Sequence, residues 1–215
     1  MNIVVTGANR GIGKALMDRL KARGETVIGT SRRAADGLQH LDVNDPQSQA
    51  QFGQALSQKP VDLLVCNAGV YLDKGHRIGA GYSAEIWEQT FRTNVTGVFL
   101  TVETMLPNLR LSSAPRIAII SSVMASSQNA PGQSYVYRAS KAAVLNLGRN
   151  LAVDLRPEGI AVGIYHPGWV QTEMGGSEAT IDVDTSATGL MDRFDALDLS
   201  NTGEFVAYDG APIPF

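Results

Sequence analysis

The chain has 215 residues, with 18 Lys and Arg against 21 Asp and Glu, for a formal net charge of −3. That length suits one α/β domain with a sizeable core, and the near-neutral balance argues against a nucleic-acid-binding surface or a polybasic membrane patch. One cysteine, Cys66, excludes an internal disulfide; the three histidines (His40, His76, His166) lack metal-ligand spacing, and no apolar run reaches the ~18 residues of a membrane span.

The sequence enters Ile3-Val4-Val5 with no charged segment and apolar stretch ahead of it, so no signal peptide is visible and a cytoplasmic location is expected. Asn2 to Thr6 is a β-branched run that stops at Gly7 and reads as a buried first strand. Thr6-Gly7-Ala8-Asn9-Arg10-Gly11-Ile12-Gly13 follows, then Lys14 to Leu20 with apolar residues at helical spacing. Strand, glycine turn and helix form the context of a dinucleotide site. The glycines let the backbone approach a pyrophosphate, whose charge sits at the helix N-terminus. The spacing Gly7-x-x-x-Gly11-x-Gly13 differs from G-x-G-x-x-G, and a purely structural glycine turn is the competing reading.

Glu25 to Thr30 reads as a second strand, ending at Ser31-Arg32-Arg33. An NAD site places Asp or Glu about 20 residues past the glycines, on the ribose 2′-hydroxyl. Here Ser31 and two arginines stand at that point, with Arg10 inside the glycine turn, and an arginine fork suits a 2′-phosphate. NADP(H) is therefore the expected cofactor. NAD(H) is the alternative, because a bend would bring Asp36 back to a 2′-hydroxyl. Leu38 to Leu41 is a short third strand leading to Asp42-Val43, and Asn44-Asp45-Pro46 starts a helix running to about Gln58. Val61 to Cys66 is the clearest parallel strand, with Cys66 buried in it, and Asn67-Ala68-Gly69 ends it.

Tyr71 to Tyr82 is glycine-rich and aperiodic, hence a loop, and Ser83 begins a long helix, Ala84 through about Leu106. Asn94 falls inside that helix, in Thr93-Asn94-Val95-Thr96-Gly97, where asparagine and glycine both weaken helical structure; a kink is expected, or a reason for Asn94 other than propensity. Arg116 to Ser121 is the fifth strand, with Ser122 at its C-terminal end. Ligands of open α/β sheets bind beyond the carboxyl ends of the strands, so Ser122 and Gly69 should open toward the crevice of the glycine turn.

After a polar loop, Ser126 to Ser134, comes Tyr137-Arg138-Ala139-Ser140-Lys141, opening the helical run from Ala142 to Leu155. A tyrosine and a lysine four apart share one helix face, with Cβ atoms about 5–6 Å apart. An ammonium at roughly 5 Å lowers a phenol pKa of ~10 by about two units, which makes the phenol a useful acid or base. Such pairs also occur on many helices by chance, so the rest of the chain must decide. Gly159 to Tyr165 is a sixth strand, and His166-Pro167-Gly168-Trp169-Val170-Gln171-Thr172 turns away from it. A helix lies within Ser186–Leu197, and Thr202 to Ala207 is a last strand. The expected fold is an α/β single-domain Rossmann-type doubly wound parallel sheet of about seven strands with helices on both faces. A dinucleotide-binding part spans about 1–115, and a catalytic and substrate-loop part about 116–215.

The Thr6–Gly13 turn, Asp42-Val43, Asn67-Ala68-Gly69, Asn94, Ser121-Ser122, Tyr137-x-x-x-Lys141 and Pro167-Gly168 with Thr172 resemble, in order and spacing, the short-chain dehydrogenase/reductases. The strings Tyr-Arg-Ala-Ser-Lys-Ala-Ala and His-Pro-Gly-Trp-Val-Gln-Thr-Glu-Met-Gly-Gly resemble its C-factor-like branch. The resemblance implies that Tyr137 is the acid in carbonyl reduction and the base in alcohol oxidation. Lys141 would tune Tyr137 and bond the nicotinamide ribose, Ser122 would bond the substrate oxygen, and Asn94 would hold a water leading from Lys141 to solvent. Tyr135 has Ala139 where a lysine would be needed, and the family pattern favours Ser122 over Ser121. The implied cofactor contacts are Gly7, Asn9, Arg10, Gly11, Ile12 and Gly13 in the turn, and Ser31, Arg32 and Arg33 after the second strand. Asp42 and Val43 would meet adenine, Asn67, Ala68 and Gly69 the adenosine ribose region, and Pro167, Gly168, Val170 and Thr172 the nicotinamide end.

The chain is shorter than a typical member after Thr172, which implies a short lid and an open pocket. The substrate class expected is a small carbonyl or alcohol. A homodimer or homotetramer is expected, with Phe99, Leu100, Val102 and Leu145 as candidate contacts and core packing as the competing reading for them. A nucleotide-binding signalling or redox-sensing protein is the competing function, and an epimerase or dehydratase with a large nucleotide-sugar domain finds no room.

Overall fold

The computed structural model describes residues 1–33 and 37–215; Asp36, weighed above against NADP(H), lies outside the described residues. Strands β1 (Asn2–Val5), β2 (Thr26–Ser31), β3 (Gln39–His40), β4 (Leu63–Cys66), β5 (Arg116–Ile120), β6 (Ala161–His166) and β7 (Phe205–Ala207) form one sheet in the order β3-β2-β1-β4-β5-β6-β7. Every neighbouring pair is parallel. Helices α1 (Gly11–Ala22), α2 (Pro46–Ala55), α3 (Ala84–Phe91), α4 (Gly97–Leu109), α5 (Tyr135–Leu155) and α6 (Val183–Asp195) cover it.

Alternation along the strands builds two cores. Ile3, Val5, Leu63, Val65 and Ala118 face Leu16, Met17 and Leu20 of α1 and Ala187, Leu190 and Phe194 of α6. Val4, Leu64, Cys66, Ile117 and Ile119 face Phe52 of α2, Val102 and Met105 of α4, and Val144 and Leu155 of α5. Both faces are buried, so the strands read as continuous apolar runs. Cys66 lies in this core as expected, and burial pushes its thiol up to about 12. Val102 and Leu145, expected as association contacts, are instead core residues at 0% and 5% exposure, while Phe99 is 37% exposed.

The strand order reverses between β1 and β4, the two neighbours whose crossovers lie on opposite faces. The crevice beyond their C-terminal ends is where the fold leaves room for a ligand. Asp45 caps α2 by accepting from the Gln47 amide, with Pro46 just inside, as the Asn44-Asp45-Pro46 string predicts. The long helix expected from Ala84 is interrupted: α3 and α4 are joined by a π-helical turn over Arg92–Thr96, with Asn94 at its centre. A π turn is the sort of break found at functional sites. Among the described residues, no helix is long and apolar enough to cross a membrane.

Candidate active site

At the β1–β4 switch lies a cleft of about 740 Å³, lined from the glycine turn through Asn67–Val70 to Tyr137, Lys141 and the segment after β6. That size is in the range of small-molecule and cofactor sites. Gly7 and Gly11 have φ of +65° and +54°, which side chains other than glycine rarely adopt. Gly13 is glycine for another reason: a Cβ there would overlap the Gly7 carbonyl and the Asn67 amide. The turn thus folds back against the end of β4. Thr6 holds the junction, its hydroxyl accepting from the Asn67 and Ala68 amides at 3.0 Å each. The Asn67 side chain donates to Thr6 O at 2.9 Å and Gly7 O at 3.2 Å.

Of the expected cofactor residues, Gly7, Asn9, Arg10, Gly11, Ile12, Gly13, Ser31, Arg32, Arg33, Asp42, Val43, Asn67, Ala68, Gly69, Pro167 and Thr172 line the cleft, as do Tyr137 and Lys141. Gly168 and Val170 do not. Gly168 turns the chain at φ +89° beside Ile181 and Tyr208, and Val170 is buried, bridging to Ile181. The residues in place suit a dinucleotide phosphate: α1 points its N-terminus at the turn, no side chain caps that end, and Arg10, Arg32 and Arg33 stand around the rim.

Tyr137 and Lys141 lie one helical turn apart on α5, both buried, with the Lys141 Nζ 5.7 Å from the Tyr137 ring centroid. Lys141 donates to Ile120 O at 2.9 Å, where β5 ends. Burial lowers its ammonium to about 8. Burial also drives the Tyr137 phenol above its ordinary value; the Ser122 hydroxyl opposes this by hydrogen bonding, and nearby Tyr71 and Asp73 add to the rise. At neutral pH the phenol therefore keeps its proton.

The two candidate serines separate by their partners. Ser121 donates to Lys141 O at 3.1 Å, which fixes α5 to β5. Ser122 stands beside the Tyr137 phenol and accepts from the Met124 amide at 3.1 Å, although it lies just outside the cleft lining. Asn94 is 1% exposed and also outside the lining. Its Oδ1 accepts from the Val70 amide at 2.8 Å, and its Nδ2 donates to Val70 O at 2.9 Å and Ser140 Oγ at 3.0 Å. Both amide protons are thus used within the protein. A Cβ on Gly69 would sit 3.2 Å from Asn94 Oδ1, a tight approach that would press on the Asn94 amide, and in ordinary contact with Lys141 Nζ at 3.7 Å.

The sequence reading missed two residues of the 71–82 loop. The Asp73 carboxylate, 0% exposed, accepts from the Val136 amide at 2.9 Å and the Tyr137 amide at 3.2 Å, capping α5 from a distant loop. The Tyr71 ring stacks on Tyr137 with centroids 4.2 Å apart and planes at 20°, and its hydroxyl is hydrogen-bonded to Ser134. Their signal in the sequence was faint: an aspartate and a tyrosine in an aperiodic loop.

The short segment after Thr172 is tied to the cleft rim by exposed contacts. Glu173 pairs with Arg10, and Lys74 donates to Met174 O at 3.0 Å and Gly175 O at 3.3 Å. Gln171 to Met174 consequently form one wall of the cleft.

Residues 1–181 match the family model described as short chain dehydrogenase. The chain is 39% identical to C-signal of Myxococcus xanthus over 165 residues, 76% of this chain and 98% of that protein. The NADPH-bound carbonyl reductase from chicken fatty liver superposes with a TM-score of 0.88 at 27% identity, covering 100% of this chain and 98% of that one. A Burkholderia multivorans short-chain dehydrogenase/reductase with bound NADP gives 0.87 at 30% identity, covering 100% and 99%. With the family model matched over most of its length and the parallel sheet, glycine turn and Tyr137–Lys141 pair in place, the chain belongs to the short-chain dehydrogenase family of oxidoreductases.

Proposed function

We propose that this protein is an NADP(H)-dependent reductase of small carbonyl compounds, running the reverse oxidation of the corresponding alcohols. The observation that carries the reading is the buried Tyr137 phenol, protonated at neutral pH, hydrogen-bonded to Ser122 and lining the cleft together with Lys141 one helical turn away. The NADPH-bound carbonyl reductase and the NADP-bound dehydrogenase among the similar structures support the cofactor and the substrate class.

In this reading the glycine turn and the α1 N-terminus take the pyrophosphate, and Arg32 and Arg33, with Arg10, take the 2′-phosphate. The nicotinamide, when bound, supplies the hydride. The protein's share is the proton and the charge. Tyr137 gives its phenolic proton to the substrate oxygen, and the Ser122 hydroxyl stabilises the negative charge developing there. The Lys141 ammonium, held to Ile120 O, stabilises the phenolate left behind and is itself charged below about 8.

The test is Tyr137→Phe, followed by NADPH absorbance across a panel of aldehydes and ketones. Loss of kcat/KM by about 10²–10⁴-fold with an unchanged NADPH Kd is expected. Undiminished reduction removes Tyr137 from the mechanism, and an NADH Kd tighter than the NADPH Kd removes the cofactor assignment. The similarity to C-signal favours a second reading, a nucleotide-binding signalling protein. NADPH binding with no turnover on any member of the panel would select it.

A further inference from the structure

We propose that Tyr71 determines substrate width at this site, walling off one face of the Tyr137 ring so that only slender carbonyl compounds reach the phenol; the inference rests on the reading of Tyr137 as proton donor. The stack at 4.2 Å and 20° is van der Waals contact, so nothing can enter between the rings. Tyr71 directly follows Val70, which lines the cleft, and its ring lies just beyond that lining, against the Tyr137 ring at the end of the cleft.

That wall is held at four points. Asn94 grips Val70 through both N–H and C=O, at 2.8 and 2.9 Å. Ser134 holds the Tyr71 hydroxyl, and Asp73 bonds the Val136 and Tyr137 amides at the start of α5. Lys74, next in sequence, ties the same loop to Met174 O and Gly175 O across the lid. Ser134 is held at φ +49° and Gln133 at +62°, conformations unfavourable for residues with a Cβ. The local backbone thus carries strain in the position that lets the Ser134 hydroxyl meet Tyr71. A ring gripped in this way is a fixed boundary, and substrate must approach the phenol along its edge beside Ser122.

The experiment compares wild type, Tyr71→Phe and Tyr71→Ala with NADPH and a graded series from small aldehydes and methyl ketones to branched and aryl ketones. Tyr71→Ala is expected to raise the ratio of kcat/KM for bulky over small substrates by about tenfold or more. Tyr71→Phe keeps the ring and should hold that ratio within about twofold. An unchanged ratio in Tyr71→Ala, or an equal loss for every substrate, overturns the proposal. A readout independent of turnover is equilibrium binding of the same carbonyl series to the NADP+ complex, followed by calorimetry. Removing the wall should favour binding of bulky over small members in Tyr71→Ala and leave their relative affinities unchanged in Tyr71→Phe. Unchanged relative affinities in Tyr71→Ala overturn the wall even if wild type reduces nothing, whereas absence of reduction with shifted affinities overturns the proposed reaction alone.

Discussion

Replacing Asp73 isolates the contact that seats the catalytic helix. Its carboxylate is fully buried and accepts the Val136 and Tyr137 amides at 2.9 and 3.2 Å, two of the four N–H groups that an α-helix leaves without internal partners. Ser134 occupies the usual capping position but caps nothing, since its hydroxyl is paired with Tyr71. In Asp73→Ala both amides lose a charge-assisted bond and stay buried, at about 1–3 kcal/mol each, and the favourable charge at the helix N-terminus goes as well. The sum is about 3–5 kcal/mol, a large part of the ~5–15 kcal/mol that holds a domain folded. For a chain of this length that lowers Tm by roughly 6–20 °C. Asp73→Asn keeps one acceptor oxygen and should cost about 1–2 kcal/mol. The opposing effect is desolvation of the carboxylate, which in other settings outweighs the gain from its partners. Urea titration followed by circular dichroism, with m unchanged, measures the difference. Asp73→Ala within about 1 kcal/mol of wild type, or Asp73→Asn more stable than wild type, would refute the capping argument and show that desolvation wins.

Gly13→Ala should abolish NADPH binding and destabilise the fold by about 1–3 kcal/mol, because the new methyl meets the Gly7 carbonyl and the Asn67 amide, and backbone cannot swing aside as a side chain can. Fluorescence titration with NADPH checks it, and wild-type affinity would show that the turn is slack. His166 supplies a pH signature. Burial holds its imidazole down at about 4, against an ordinary 6.5, with Asp209 pulling the other way. The unfolded chain therefore binds more protons than the folded one between about 6.5 and 4, and stability is lost as pH falls through that window. The loss is about 2–3 kcal/mol after allowance for partial exposure. Urea midpoints for wild type and His166→Gln, measured from pH 7 to 4, should diverge in that window, with the variant losing less; parallel curves contradict the assignment.

The sequence carried the parts of the site that obey local rules. Gly7, Gly11 and Gly13 are legible because only glycine fits a positive φ or the space beside a carbonyl. Tyr137 and Lys141 are legible because a helix fixes their separation, and Asp45-Pro46 because capping chemistry is local. The contacts of Asp73 and Tyr71 are not local. They pair a loop before α3 with the start of α5, more than sixty residues later, and no periodicity or capping rule reaches across that gap. Val102 and Leu145 failed for a related reason: an apolar residue on a helix facing the sheet and one facing a partner have the same letter, and only the fold assigns the side.

Asn94 shows how a local rule points to the right place without naming the cause. Asparagine in a helix interior is unfavourable by under about 1 kcal/mol, which predicts weakness there, and the chain does break its α-helical pattern at Arg92–Thr96. What offsets that weakness is tertiary. Three hydrogen bonds, two part-buried ones with Val70 N and O and a buried one to Ser140 Oγ, contribute about 0.5–1.5 kcal/mol each, and together they exceed the propensity deficit. They also join two parts of the site at one side chain: the end of the β4 crevice, where Val70 leads into the loop of Tyr71 and Asp73, and through Ser140 the α5 turn that carries Tyr137 and Lys141. The break in the helix thus falls where the Asn94 side chain ties the β4 crevice to the catalytic turn of α5, and its hydrogen bonds offset the local loss of helical regularity.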